Sequence, residues 1–235
     1  VFTLESKTPL KDLDFVGFTL QYEMSYTNIL NIMDLSGIHL FFKERGEEDP
    51  IIMFGGPCAY NVEPIADFAD IVMIGEGEES LPEVMNIYSK YKGKSYPGMK
   101  NEFLLEVAIN VKGAYVPSLY RAEYDKAGKF SSIAPTHEGV PEKIQKRIIR
   151  KMDEVYFPEK ILVPNIDVVH SRIMLELFRG CTRGCRFCQA GIGYRPIRER
   201  SKEKLLEIAE KLIRATGYEE VSLTSLSSSD YSKIE

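Results

Sequence analysis

Three cysteines near the C-terminal end, Cys181, Cys185 and Cys188, form a CxxxCxxC spacing whose residue type is well suited to bind a metal. Thiolates are soft ligands that select zinc, copper(I) or iron–sulfur clusters. A structural zinc site usually takes four ligands, often as two separated pairs. Three closely spaced thiols without a second pair instead fit a 4Fe–4S cluster in which one iron is open to a further ligand. The spacing therefore favours a cluster, with zinc as the alternative, and it places the expected chemistry at the open iron.

The residues around these cysteines predict the elements that position them. The run from Ile173 to Phe178 has the composition of a short buried strand, and Gly180 follows it directly. Ser201 is a predicted N-cap of an amphipathic helix that ends at Gly217. A second apolar strand is predicted from Glu220 to Leu226. The cysteines thus lie in the loop of a βαβ unit.

The CxxxCxxC spacing in this strand–loop–helix order resembles the radical S-adenosylmethionine (SAM) superfamily. In that family the three cysteines hold a 4Fe–4S cluster, SAM chelates the unique iron, and the reduced cluster cleaves SAM to methionine and a 5′-deoxyadenosyl radical. The resemblance implies the same ligand role for Cys181, Cys185 and Cys188, and it implies that Phe187 packs near the SAM adenine. We expect a radical SAM enzyme with an unknown substrate. The alternative is a non-catalytic iron–sulfur or zinc-binding module of a larger assembly.

The residues after the second predicted strand are candidates to bind SAM itself. The family often has Gly-Gly-Glu there to hold the SAM amino group, whereas this chain has the serine-rich run Thr224–Asp230. The resemblance makes the hydroxyls of Ser225 and Ser227 candidate SAM ligands and Asp230 a candidate for the SAM ammonium. The alternative is a polar turn in which Ser229 or Asp230 caps a helix.

The first ninety residues predict a Rossmann-like parallel α/β lobe. Near-continuous apolar strands alternate with helices, which is typical of a parallel sheet covered on both faces. Ligands of such sheets bind at the carboxyl ends of the strands. The predicted strands are Asp14–Leu20, Pro50–Phe54 and Asp70–Ile74, and the predicted helices are Ser25–Ser36 and Ser80–Tyr91.

This lobe resembles the cobalamin-binding-type domain that precedes many radical SAM barrels. Gly55 and Gly56 match the glycine pair that lines the groove for the nucleotide tail in that family, and Thr19 matches a serine or threonine that follows an earlier strand there. The Asp-x-His-x-x-Gly motif, whose histidine can ligate cobalt, does not occur in this sequence, which argues against bound cobalamin. Apart from the resemblance, the two glycines also suit simple strand-to-helix turns.

The predicted boundaries are a lobe over residues 1–95, a connector over 96–171, and the start of a radical SAM core over 172–235. A complete barrel of this kind needs on the order of 200 residues, whereas only about 60 follow Ile173. We therefore expect a fragment with an N-terminally truncated lobe and an incomplete TIM-like barrel. Exposed strand edges in such a fragment favour self-association.

The connector carries weaker patterns. It predicts a strand from Phe103 to Lys112 and a basic helix from Pro141 to Lys151. Between them, the runs Tyr115–Pro117, Tyr120–Tyr124 and Lys126–Lys129 predict a hairpin.

Composition and charge limit the classes of partner and the compartment. The net charge of −5 argues against wholesale coating of nucleic acid, and no apolar run is long enough to span a bilayer. Four cysteines, three of them clustered, fit a reducing cytoplasm better than a disulfide framework.

The sequence around the cysteine loop is nevertheless basic. Such a run is usually a solvated face. It also suits stabilisation of an anionic cluster, docking of an acidic electron donor of the flavodoxin or ferredoxin type, and, ranked last, an RNA substrate. The basic residues are Arg179, Arg183, Arg186, Arg195, Arg198, Arg200, Lys202 and Lys204.

Overall fold

The computed structural model describes residues 1–166 and 168–234, and the chain divides into two compact units, Val1–Ile148 and Ile149–Glu235. Within these described ranges, no helix has the length and apolar character needed to cross a membrane. The strands are β1 Phe15–Thr19, β2 Ile51–Gly55, β3 Ile71–Met73, β4 Ala114–Tyr115, β5 Tyr120–Tyr124, β6 Phe130–Pro135, β7 Ile173–Glu176, β8 Phe178–Arg179, β9 Arg198–Glu199 and β10 Val221–Thr224. The α-helices are α1 Tyr26–Leu35, α2 Gly77–Tyr88, α3 Met99–Asn110, α4 Ala190–Gly193 and α5 Lys202–Thr216.

The first unit is built on a four-stranded sheet in the order β1-β2-β3-β4. β1, β2 and β3 are parallel, and β4 runs antiparallel to β3. All three residues of β3 and the first four of β2 are buried, as expected for strands whose two faces are both covered. The predicted α/β class with a parallel sheet is therefore confirmed.

The predicted strand from Phe103 to Lys112 is wrong, because residues 103–110 belong to helix α3, which ends at Asn110. Phe103 and Val107 are both buried, and their spacing of four residues places them on one helical face. Glu47 satisfies two free amides at the start of the helix, accepting from the backbone N–H of Gly98 and of Lys100 at 2.9 Å each. The helical structure of this segment is therefore determined by tertiary packing and by the cap from Glu47, and its local sequence pattern does not show it.

Two further elements predicted in the connector have opposite outcomes. The hairpin is confirmed, since β5 and β6 pair antiparallel. The helix from Pro141 to Lys151 is wrong: Arg147 lies beside the end of β3, where its N–H donates to the carbonyl of Ile74 at 2.9 Å and its carbonyl accepts from Glu76 at 3.1 Å. Residues 96–148 consequently belong to the first compact unit, whereas the sequence assigned residues 96–171 to a connector.

The second unit has a short parallel sheet in which β7 pairs with β10. Helix α5 packs its buried residues Leu205, Ile208 and Leu212 against the same core as Ile173 and Leu175. The predicted ends of this helix are confirmed by the Ser201 side chain, which accepts from the Lys204 amide, and by left-handed Gly217. In the part of the chain that the structure describes, β7 and β10 form an open two-stranded sheet and no closed barrel. This agrees with the predicted incomplete barrel.

A buried tyrosine of β4, Tyr115, is expected to make the free energy of unfolding of the first unit fall at alkaline pH. Burial, reinforced by the hydrogen bond that Tyr115 donates to Glu63 Oε1 at 2.7 Å, raises the pKa of its hydroxyl. An unfolded tyrosine ionises near pH 10. The stabilisation is therefore complete below that pH and is lost as the pH rises, at about 1.4 kcal/mol per pH unit while only the unfolded state loses the proton.

We expect Tyr115→Phe to remove this contribution to the dependence of the free energy of unfolding on pH. Urea denaturation of both proteins between about pH 9 and pH 11 measures it. Above pH 10, the free energy of unfolding should fall more steeply for the native chain than for the variant. Parallel curves would show that Tyr115 does not retain its proton in the folded state.

Candidate metal centre

The cysteine loop is closed at its base by a pair of short antiparallel strands. β8 leads into the loop and β9 leads out of it, with Phe178 opposite Glu199 and Arg179 opposite Arg198. Just below this pair, the amide of Arg200 donates to the carbonyl of Leu177 at 2.9 Å. Residues 180–197 therefore leave and re-enter the fold at one place, directly after strand β7.

Gly180 permits the two ends of the loop to approach each other. Its φ is +95°, a backbone conformation that residues with a Cβ rarely adopt. A Cβ at this position would lie 2.4 Å from the carbonyl oxygen of Pro196 and 2.9 Å from the Cα of Ile197. The glycine that the sequence placed at the end of the strand is thus required for the close packing of the loop base.

The three thiols lie on this loop and are accessible. Cys185 is exposed, and Cys181 and Cys188 are half-buried. Two of the sulfurs accept backbone N–H groups, from Arg183 to Cys181 Sγ at 3.5 Å and from Gly191 to Cys188 Sγ at 3.4 Å. Hydrogen bonds to sulfur favour a thiolate and tune the potential of an iron–sulfur cluster.

The donor chemistry of the loop suits a cluster held by three thiolates. Among the described residues, no group of three or more His, Cys, Asp or Glu side chains has its atoms arranged to hold a metal ion. The three cysteines nevertheless share one loop, and Cys58 is buried in the core of the first unit. A three-thiol donor set fits a 4Fe–4S cluster with one open iron better than a four-ligand zinc site.

An ion pair connects the cysteine loop to the residues after β10. The guanidinium of Arg183 contacts both carboxylate oxygens of Asp230, with Nε 2.7 Å from Oδ2 and Nη2 beside Oδ1. Arg183, and next a hydrogen bond from Ser227, hold the pKa of Asp230 below its usual range. The carboxylate that the resemblance assigns to the SAM ammonium is therefore paired with an arginine between Cys181 and Cys185.

The other residues predicted to contact SAM lie on the same two segments. The Oγ atoms of Ser225 and Ser228 are 2.9 Å apart, and the Phe187 side chain is almost fully exposed. Ser227 precedes a 3₁₀ turn over Ser228–Asp230. The polar turn of the alternative is present, and the residue that precedes it is Ser227, whereas Ser229 and Asp230 lie inside it. A role of Ser225 and Ser227 in binding SAM stays a prediction.

Two of the arginines in the basic run are buried and hold backbone carbonyls. Arg198 donates to the carbonyls of Ile149, Tyr194 and Pro196 at 2.9–3.1 Å. Arg200 is 2% exposed and donates to the carbonyl of Met152. These two cations therefore stabilise the loop base, while Arg183 and Arg186 are exposed on the loop.

Glu176 is a site residue that the sequence reasoning missed. It ends β7, and its carboxylate accepts from Arg179 Nε at 2.8 Å and from Arg200 Nη2 at 3.4 Å. The signal was a single charged residue inside the apolar run from Ile173 to Phe178. Its position, directly paired with Thr224 of β10, brings a carboxylate to the end of the strand that precedes the loop.

The predicted groove residues of the first unit are brought together, because Thr19 of β1 pairs with Gly55 of β2. Gly56 follows with a φ of +94°, and a Cβ there would lie 2.9 Å from Thr19 Cγ2 and 3.1 Å from the Leu20 carbonyl oxygen. The close approach of these two strand ends accounts for the glycine. A role of Thr19, Gly55 and Gly56 in cobalamin binding stays a prediction.

Two family models match the chain. Residues 1–117 match the model described as radical SAM proteins, N-terminal, and residues 175–235 match the model of the radical SAM superfamily. An uncharacterised protein of Methanocaldococcus jannaschii is 27% identical over 245 residues, an alignment that covers 100% of this chain and 43% of that protein. The chain thus spans less than half the length of the curated relative that it matches.

Proposed function

Because the chain belongs to the radical SAM superfamily, we propose that Cys181, Cys185 and Cys188 bind a 4Fe–4S cluster for the reductive cleavage of SAM. The observation that carries this proposal is the three-thiol loop closed by β8 and β9 at the end of a parallel strand. The cluster supplies the electron that breaks the sulfonium bond, and the protein supplies binding and orientation.

The proposed roles of the polypeptide follow from the contacts of the loop. The amides of Arg183 and Gly191 donate to Cys181 and Cys188 and stabilise negative charge on the sulfurs. Arg183 adds a positive charge between the first two cysteines, and its pairing with Asp230 fixes where that charge lies. The loop is therefore suited to an anionic, thiolate-bound group.

SAM binding is proposed to use the exposed Phe187 ring for the adenine, and Ser225 and Ser227 for polar groups of SAM. Asp230 takes the SAM ammonium beside Arg183, because each carboxylate oxygen has two lone pairs and Arg183 uses one on each. The carboxylate is then shared by SAM and by an arginine of the cysteine loop. We propose that this shared carboxylate couples SAM binding to the position of the cysteine loop.

The electron is proposed to come from an acidic donor of the flavodoxin or ferredoxin type. Two exposed cations of the loop, Arg183 and Arg186, and the exposed Lys202 at the start of α5 are proposed to supply the complementary charge for docking. We expect the rate of reduction by such a donor to fall steeply with salt, because exposed charge pairs are screened.

Anaerobic reconstitution of the chain with iron and sulfide tests the proposed function. We expect about four irons per chain and a visible absorption band that SAM perturbs. Under dithionite, we expect 5′-deoxyadenosine and methionine as products. One bound zinc without SAM cleavage would instead support a non-catalytic zinc-binding module and would overturn the proposal.

A further inference from the structure

The two residues that follow Asp230 contact the strand that ends the cysteine loop. The hydroxyl of Tyr231 donates to the backbone carbonyl of Arg200 at 2.8 Å. The amide of Ser232 donates to Glu199 Oε1 at 3.0 Å, and its hydroxyl contacts the other oxygen of the same carboxylate. We call these two residues together with Asp230 the anchor segment. Each of its three residues therefore contacts the cysteine loop or the residues directly after it.

Among these contacts, the Tyr231 hydrogen bond is the one shielded from water. Tyr231 is 6% exposed, and its ring belongs to the hydrophobic core of the second unit. Burial raises the pKa of its hydroxyl, which therefore remains a donor at neutral pH. Ser232 is exposed, and the Arg183 side chain that pairs with Asp230 is 59% exposed. Exposed pairs contribute little to holding a geometry, because water and salt screen them.

The carbonyl that accepts from Tyr231 belongs to a residue that is itself held in place. The backbone N–H of Arg200 donates to the Leu177 carbonyl at 2.9 Å, and its side chain, 2% exposed as a residue, donates to the Met152 carbonyl. Loss of the Tyr231 hydroxyl would leave a buried carbonyl without its donor, which is costly. The anchor segment is thus attached to the base of the cysteine loop by one buried bond.

We propose that Tyr231 is a positioning residue, which holds the Asp230 carboxylate in the place where it receives the SAM ammonium. This inference rests on the proposed function, in which one SAM molecule contacts both the cluster and Asp230. The separation between the anchor segment and the cysteine loop must then be fixed in the complex. A segment that is already held at the loop base does not have to be ordered when SAM binds, so that this cost is avoided.

Titration of the reconstituted chain with SAM, followed by its visible absorption band, tests the role of Tyr231. Tyr231→Phe keeps the ring in the core and removes only the hydroxyl. We expect the variant to retain the iron content of the native chain, because the three cysteines and the β8–β9 pair are unchanged. It should bind SAM about 5-fold more weakly or worse. Equal SAM affinity of the variant and the native chain would overturn the proposal.

Two further variants separate positioning from a general loss of stability. Tyr218→Phe is the matched control, since Tyr218 packs against the same core but lies outside the anchor segment. It should bind SAM like the native chain. If Tyr231 acts through Asp230, then Tyr231→Phe should have no further effect on SAM affinity in an Asp230→Asn background. Additive losses would instead assign Tyr231 a purely structural role.

Amide hydrogen exchange of the iron-free chain measures the anchor without SAM or a cluster. The Ser232 amide, next to Tyr231, should exchange about 5-fold faster in Tyr231→Phe than in the native chain or in Tyr218→Phe. Unchanged exchange would show that the hydroxyl does not hold the segment and would contradict the proposal. If SAM leaves the band of the native chain unperturbed, the proposed function and the positioning role both fail. Unchanged SAM affinity of Tyr231→Phe in a chain that responds to SAM overturns the positioning role alone.

Discussion

Cys185→Ala is expected to abolish both the binding of a four-iron cluster and the cleavage of SAM. A cluster with one open iron already depends on all three thiolates, and no fourth thiol lies in the second unit to take the place of a missing one. Cys185 is exposed, so that its replacement should cost little folding stability. Iron per chain, the visible absorption band and the yield of 5′-deoxyadenosine measure the loss.

Cys58→Ala is the matched control for this prediction. Cys58 is buried in the first unit, and burial together with the charge of Glu23 raises the pKa of its thiol. A thiol that resists deprotonation is a poor metal ligand. The variant should keep its iron and its SAM cleavage, although it is expected to lose about 1 kcal/mol of stability. Full iron content in Cys185→Ala, or loss of iron in Cys58→Ala, would contradict the ligand assignment.

The parts of the fold that were predictable are those in which a local pattern coincides with the final packing. Helix α5 combines an apolar stripe with a serine N-cap and a terminal glycine, and β2 is an apolar run ended by glycine. Helix α3 was missed because its start depends on Glu47, a residue distant in sequence that caps Gly98 and Lys100. The expected helix after Pro141 was wrong because the Arg147 backbone pairs with the end of β3.

The candidate site was predictable to the extent that its chemistry is carried by residues close in sequence. The cysteine spacing identifies the donors without any knowledge of the fold. The roles of the arginines depend instead on contacts between residues distant in sequence. Arg200 donates to the Met152 carbonyl, whereas Arg183 pairs with Asp230. Charge alone could not separate these roles. Glu176 was overlooked because its arginine partners become neighbours only when β8 and β9 close the loop.

Gly180→Ala is expected to disrupt the loop base, although it leaves every cysteine in place. The added Cβ would lie 2.4 Å from the Pro196 carbonyl oxygen, a contact with backbone that no side-chain rotation relieves. A φ of +95° adds strain of about 1–2 kcal/mol for a residue with a Cβ. We expect a total destabilisation of the loop base by about 3 kcal/mol or more. Amide hydrogen exchange at Arg200, whose N–H bonds the Leu177 carbonyl, measures the opening of the base.

Gly184→Ala is the control that separates the steric clash of an added Cβ from the backbone strain of a positive φ. Gly184 lies in the same loop as Gly180. Gly184 has a φ of +69°, and a Cβ there would come no closer than 3.9 Å to other atoms. Its replacement should therefore carry only the strain of about 1 kcal/mol and should keep most of the bound iron. Gly180→Ala should accelerate exchange at Arg200 and lower iron per chain well below the Gly184→Ala value. If both variants bind iron equally, the closed base is not needed to present the thiols, and sequence spacing alone suffices for the cluster.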